Sequence, residues 1–226
     1  GGATSQMLAT SALIAAVSGG QFAVGTAMSK TESVQATLFG LLILSETMSL
    51  LNFVGILISL LGAFLVTGVL VSGPIEKDSR AVPLGLVAGF LFALCSVCFR
   101  GATLELEGDS LVALSPFSRA IVTLTVALTL QTILMGAFLV VRQPGQLSKV
   151  FASWRIASIV GIVGAVSSMC WFTAMSLINA ALVRAMGQIE LVFTVLTSLF
   201  IIRERVKLVE IVGMVVLVFG MFLLVD

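Results

Sequence analysis

The chain has 226 residues, 59% of them hydrophobic and only 10% charged, with a mean hydropathy of +1.20; these values exclude an ordinary soluble domain and make the bilayer its solvent. Twelve Lys and Arg stand against eleven Asp and Glu, so there is no polybasic footprint for nucleic acid. The chain has no histidine, and its three cysteines (Cys95, Cys98 and Cys170) sit in apolar runs, which excludes a disulfide framework and leaves the Cys95-x-x-Cys98 spacing without partners for a zinc site.

A hydrocarbon core asks for about 20 apolar residues per helix, and the sequence offers eight such spans in chain order: 3 to 20, 22 to 44, 50 to 71, 82 to 100, 113 to 141, 156 to 178, 180 to 202 and 207 to 225. Short polar or glycine-bearing breaks separate them, among them Gly19-Gly20, "SETMS", "SGPIEKDSR", "LELEGDS", "RQPGQLSK" and "RERVK". The first span has no initiating methionine and no cationic flank, so it does not read as a signal peptide. The expected fold class is an all-α polytopic membrane protein.

Laying residue 16 on residue 174, a shift of 158 positions, aligns 16–66 with 174–224 without a gap, and 17 of the 51 pairs are identical. Shared hydrophobicity explains leucine and valine matches; it does not readily explain Glu32 on Glu190, Glu46 on Glu204, Gly55 on Gly213 and Gly62 on Gly220. The reading is therefore a duplication. The first copy holds three spans (1–71), a linker occupies 72–81, and the second copy (82–226) holds five. By symmetry the first copy lacks two spans, so about 80 upstream residues and a native protein of about 300 residues with ten helices are expected. An odd number of spans per copy sets the copies in opposite orientations, the inverted arrangement common in secondary transporters.

Charges inside the spans are the candidate site. An Arg or Glu at a helix centre costs about 2.5–3.5 kcal/mol on insertion scales, so such residues face a partner, water or the bundle interior. On a straight helix Arg184 and Gln188 share a stripe, whereas Gln188 and Glu190 point in nearly opposite directions. Gly187, Thr194 and Thr197 flank Glu190 with small or hydroxyl-bearing side chains, as Ser29 and Ala36 flank Glu32. Lys30 and Glu32, two positions apart, cannot pair with each other along such a helix. Glu32 and Glu190 are expected to approach the bundle axis from pseudo-symmetric helices, with Lys30 and Arg184 compensating their charge or binding a substrate carboxylate. Alternatively the four form interhelix ion pairs that fix register. Gln188 is a substrate ligand or interhelix glue, and Trp171 a cavity wall or core packing. Paired Gly55/Gly62 and Gly213/Gly220, seven apart, permit close helix approach.

The paired segments "TESVQATLFGLLILSETMSLLNFVGILISLLGAFLV" and "QIELVFTVLTSLFIIRERVKLVEIVGMVVLVFGMFLL" resemble the EamA-type transporters of the drug/metabolite transporter superfamily. In each, an intramembrane Glu leads to a boundary Glu and then to a helix with two spaced glycines. "PFSRAIVTLTVAL" is similar to the family's arginine-bearing start of the second helix in a repeat, which makes Arg119 a further candidate for substrate contact; spacing alone reads Arg119 and Arg100 as snorkelling to the interface. Many relatives carry proline after the intramembrane Glu, where this chain has Ser33 and Leu191. The resemblance implies ten helices in two inverted five-helix repeats and a cavity lined by the helices at 22 to 44 and 180 to 202. It also implies export or import of a small metabolite, with export the expected direction, and a bacterial inner membrane.

Loop charge places Lys77, Arg80, Arg142, Lys149, Arg155, Arg203, Arg205 and Lys207 on one side, which by the positive-inside rule puts the C-terminus outside the cytoplasm; the family resemblance implies the opposite. The expected activity is secondary transport of an amino acid or similar zwitterion by alternating access, with proton coupling through a carboxylate or exchange as its candidate modes. No P-loop is present. Expected partners are the solute, lipid and protons, with a second copy in a homodimer as a further candidate; no nucleic acid, cofactor, metal or catalytic residue is expected. Two other classes stay open: a membrane-embedded assembly subunit, and an intramembrane enzyme using paired carboxylates.

Overall fold

A computed structural model of the chain describes residues 1–18, 22–70, 80–108, 114–203 and 206–225. The Gly19-Gly20 break, Lys77 with nearly all of the 72–81 linker, Asp109, Glu204 and Arg205 lie outside the described residues. Among those described, every regular element is helical: α1 (Gly2–Ser18), α2 (Phe22–Ser29), α3 (Glu32–Leu44), α4 (Leu50–Val66), α5 (Ala81–Gly108), α6 (Pro116–Arg142), α7 (Gln146–Ala152), α8 (Trp154–Leu177), α9 (Ala180–Gly187), α10 (Ile189–Thr197) followed by a π turn (Ser198–Ile202), and α11 (Leu208–Phe222).

Among the described residues four stretches are long and apolar enough to cross a membrane: Ala81–Glu107, Pro116–Arg142, Trp154–Leu177 and Ala180–Ile201; Leu50–Val66 and Leu208–Phe222 are apolar but shorter. The expected continuous helix over 22 to 44 is instead interrupted at Lys30 and Thr31, and the one over 180 to 202 at Gln188. At the first interruption the Lys30 amide reaches both Thr26 and Ala27 carbonyls, Thr31 N–H bonds Met28 O at 3.3 Å, and the Ser29 and Thr31 hydroxyls donate back to Thr26 O and Met28 O. These three-residue bonds and hydroxyl back-bonds tighten and bend a helix. At the second, Gly187 precedes Gln188, whose N–H bonds Ala185 O.

The residues separate into two compact units, Gly1–Thr4 with Cys98–Ile178, and Ser5–Val97 with Asn179–Asp226. In the first, α6 and α8 pack together, the Ser176 hydroxyl donates to Pro116 O at 3.0 Å, and the Phe99 and Phe172 rings lie 4.5 Å apart. Ser115 starts α6 by accepting from Ser118 N–H, with Pro116 in the first turn, a standard pairing of cap and proline.

The second unit is built on close approach of small residues. A Cβ added at Gly85 or Gly89 of α5 would lie 2.8 Å from Gly25 O or 2.9 Å from Ser29 O, so bare glycines bring α5 against α2. α4 and α11 run antiparallel in contact: a Cβ on Gly62 would lie 2.5 Å from Leu217 Cα, on Gly220 2.8 Å from Ser59 Cα, on Gly55 2.9 Å from Gly220 O, and on Gly213 2.6 Å from Val66 N. Buried Ala36, Ile56, Ala93, Ala181 and Ala185 continue this small-residue core. Helices in lipid gain packing rather than hydrophobic transfer by such contacts, which is why glycine rather than leucine holds the crossing.

Gly62→Val should lower unfolding stability in detergent by about 1–3 kcal/mol through overpacking, whereas Gly164→Ala, which meets nothing within 4 Å, should leave the unfolding midpoint unchanged or slightly higher; thermal unfolding followed by thiol-reactive fluorescence measures both.

Candidate functional site

The two helix interruptions bring charge to adjacent places in the second unit. Lys30 stands in the first, and Glu32 opens α3; Glu190 is the second residue of α10, just after Gln188. A carboxylate in a first helical turn meets the partial positive charge of the free amides there. α3 and α9 pack against each other, and this contact pairs the charges crosswise. Lys30 Nζ bonds and ion-pairs with Glu190, and Arg184 Nη1 lies 3.5 Å from Glu32 Oε2.

Gln188 sits between the pairs. Its Nε2 donates to Ser33 Oγ at 3.1 Å and to Lys30 O at 3.4 Å, and its Oε1 is buried with no partner in the structure. Arg184 is the most heavily held of the charged groups: Nε donates to Ser96 Oγ at 2.5 Å, Nη2 lies 3.7 Å from Cys95 Sγ, and the guanidinium carbon is 5.5 Å from the Phe92 ring centre. Exposure separates the two pairs. Glu32 and Arg184 side chains are 9% and 14% accessible, and Lys30 is 12%, whereas Glu190 is 57%.

A cavity of about 260 Å³ opens one turn away, with Thr26 a turn before Lys30 and Thr194 a turn after Glu190; Thr67, Ser198 and Glu210 add oxygen atoms to its wall. A larger one, about 590 Å³, lies in the first unit, and its lining is apolar apart from Thr123 and Glu105. The smaller cavity has the more polar wall and lies beside the crossed ion pairs, a mixture that orients a polar ligand.

Five of the sequence candidates (Lys30, Glu32, Arg184, Gln188 and Glu190) therefore come together. Arg119 and Trp171 belong to the other unit. Arg119 is buried, ion-paired with Glu107, and its Nη1 donates to Thr103 O at 3.4 Å. Arg100 is likewise buried and donates to Met175 O at 2.9 Å. Trp171 is half-buried on α8. Sequence reasoning missed Ser33, Ser96 and Cys95 as polar neighbours of Gln188 and Arg184. The only sequence signal for Ser33 was its place after Glu32; for Ser96 and Cys95 there was none, because helix periodicity within α5 says nothing about its register against α9.

Against known proteins, the sequence profile described as the EamA-like transporter family matches residues 79–226. No curated protein matches the chain.

Arg184→Met should destabilise the protein by about 3–5 kcal/mol, the usual cost of leaving a buried charge without its partner, and adding Glu32→Met should recover most of that loss; denaturant unfolding of the single and double variants checks the coupling.

Proposed function

Because the chain belongs to the EamA-like transporter family, it is an integral membrane transporter of the drug/metabolite type, and we propose that it moves a small zwitterionic or polar metabolite by alternating access around Lys30, Glu32, Arg184, Gln188 and Glu190. Proteins of this family are transporters rather than enzymes, and their partners are a small solute and the lipid around them. The observation that carries the reading is the crosswise charge pairing inside apolar helices. Four charged groups in lipid are expensive, and interrupted helices near the midplane are where secondary transporters bind solutes and ions.

In this reading residues 1–71 and 82–226 are parts of two inverted repeats joined by the linker at 72–81, and the family match over 79–226 agrees with the extent assigned to the second. The shift of 158 positions also supports it. It carries the end of α2 at Ser29 onto the end of α9 at Gly187, and the start of α4 at Leu50 onto the start of α11 at Leu208. It carries Ser45 (φ 54°) onto Arg203 (φ 61°), the two non-glycine residues with left-handed backbone among those described. It converts the Gly62–Leu217 approach into Gly220–Ser59, and Gly55–Leu224 into Gly213–Val66. An approximate two-fold axis relating α4 to α11 has these consequences, and rocking of the repeats about it would expose the charged site alternately to each side. Eight spans, outward transport, a proton or exchanged solute as the coupling partner, a homodimer and a bacterial inner membrane complete the proposal. Arg119 and Trp171 enter it as positions that a solute meets outside the charged cluster.

Purified full-length protein in proteoliposomes should show saturable counterflow of one or more labelled amino acids or related metabolites, and Glu190→Gln should reduce it at least about tenfold, or about 1.4 kcal/mol in the barrier. Absence of flux for every solute, with folding verified, would refute the transport mechanism around this site.

A further inference from the structure

The two ion pairs are built differently, and the difference assigns them different work. Glu32 is buried and Arg184 nearly so, and Arg184 is tethered besides by Ser96, Cys95 and the Phe92 ring. Separating that pair leaves two charges in a low-dielectric interior with little water to replace the lost partner. Lys30 and Glu190 differ in that the carboxylate is more than half accessible. Another cation can reach it without first displacing the packed side chains around it. Glu190 is also the one side-chain partner of Lys30 Nζ among the described contacts.

A second acceptor belongs to a side chain tied to the Lys30 backbone. Gln188 holds the Lys30 carbonyl through Nε2 and has a buried Oε1 with no hydrogen-bond donor. A buried carbonyl oxygen left without a donor is costly, about as much as a lost hydrogen bond. The amide is anchored to the same backbone segment that carries Lys30, so a lysine released from Glu190 has an acceptor within its own neighbourhood.

Resting on the transport reading above, we propose that Glu190 is a binding site for the protonated amine of the solute, which exchanges for Lys30 on the carboxylate while Lys30 turns to Gln188, and that Arg184–Glu32 is a fixed pin. No covalent bond changes; one ammonium replaces another on the same carboxylate, and the site gains the single positive charge of the arriving amine. The ligand class is therefore a primary or secondary amine, and its carboxylate, if it has one, is not the group that the site requires.

The test uses the full chain in detergent and needs no knowledge of the natural solute. Unfolding temperature is recorded against propylammonium chloride, sodium propionate and sodium chloride at equal ionic strength and pH 7. Propylammonium should raise the midpoint of the wild type above the sodium chloride curve, sodium propionate should not, and Glu190→Gln should abolish the rise. Without ligand, Arg184→Gln should lower the midpoint by about 10 °C, and Lys30→Gln by less than a third of that. A propylammonium effect that persists in Glu190→Gln, stabilisation by propionate instead, no effect of either, or equal destabilisation by Lys30→Gln and Arg184→Gln would each overturn the exchange. Loss of transport for every solute would count against the transport reading while leaving this amine site standing or falling on its own midpoint shifts.

Discussion

A charge placed among apolar helices must find an opposite charge or water, and in this protein that requirement joins segments far apart in sequence. Lys30 reaches Glu190 across 160 positions, and Arg184 reaches Glu32. Each pair ties the α2–α3 segment to the α9–α10 segment. Within each segment the two opposite charges, Lys30 with Glu32 and Arg184 with Glu190, are paired across to the other segment rather than with each other. The pairing therefore selects which helices sit side by side and in what register.

Register at the charged site depends in turn on how closely backbones approach elsewhere. Gly85 and Gly89 let α5 lie directly on α2, and the same helix, one and two turns later, presents Phe92, Cys95 and Ser96 to Arg184. α4 and α11 cross through four glycines with no room for a side chain. In lipid, where burying leucine against leucine gains little over leucine against acyl chain, close backbone packing is the available source of specificity. The glycines and the ion pairs are thus two parts of one device, the first bringing helices near and the second fixing their rotation.

Helix interruption supplies the third part. A straight helix through 180 to 202 would send Gln188 and Glu190 to opposite faces and so ask for two separate environments. The interruption at Gln188 and the one at Lys30 and Thr31 relax that geometry, and Gln188 serves both sides, holding Ser33 and the Lys30 carbonyl. Serine after Glu32, a departure from the proline that the family resemblance led one to expect, is what gives the Gln188 amide its hydroxyl partner. Proline at 33 would have removed it.

Membrane class, the approximate extent of four of the eight expected spans, the 158-position recurrence and the five charged or amide candidates were legible in the sequence, because each depends on local composition or on periodic recurrence along the chain. Lipid solvation makes an isolated charge conspicuous wherever it lies. What only the tertiary structure decided was the crosswise partnering, the unequal exposure of Glu190 and Glu32, the partnering of buried Arg100 and Arg119 with the Met175 carbonyl and Glu107, and the splitting of the 22 to 44 helix. All four follow from which helix faces which and from hydroxyl back-bonds to particular carbonyls. Hydropathy does not encode these relations, since an apolar helix is equally soluble in lipid at every rotation about its axis.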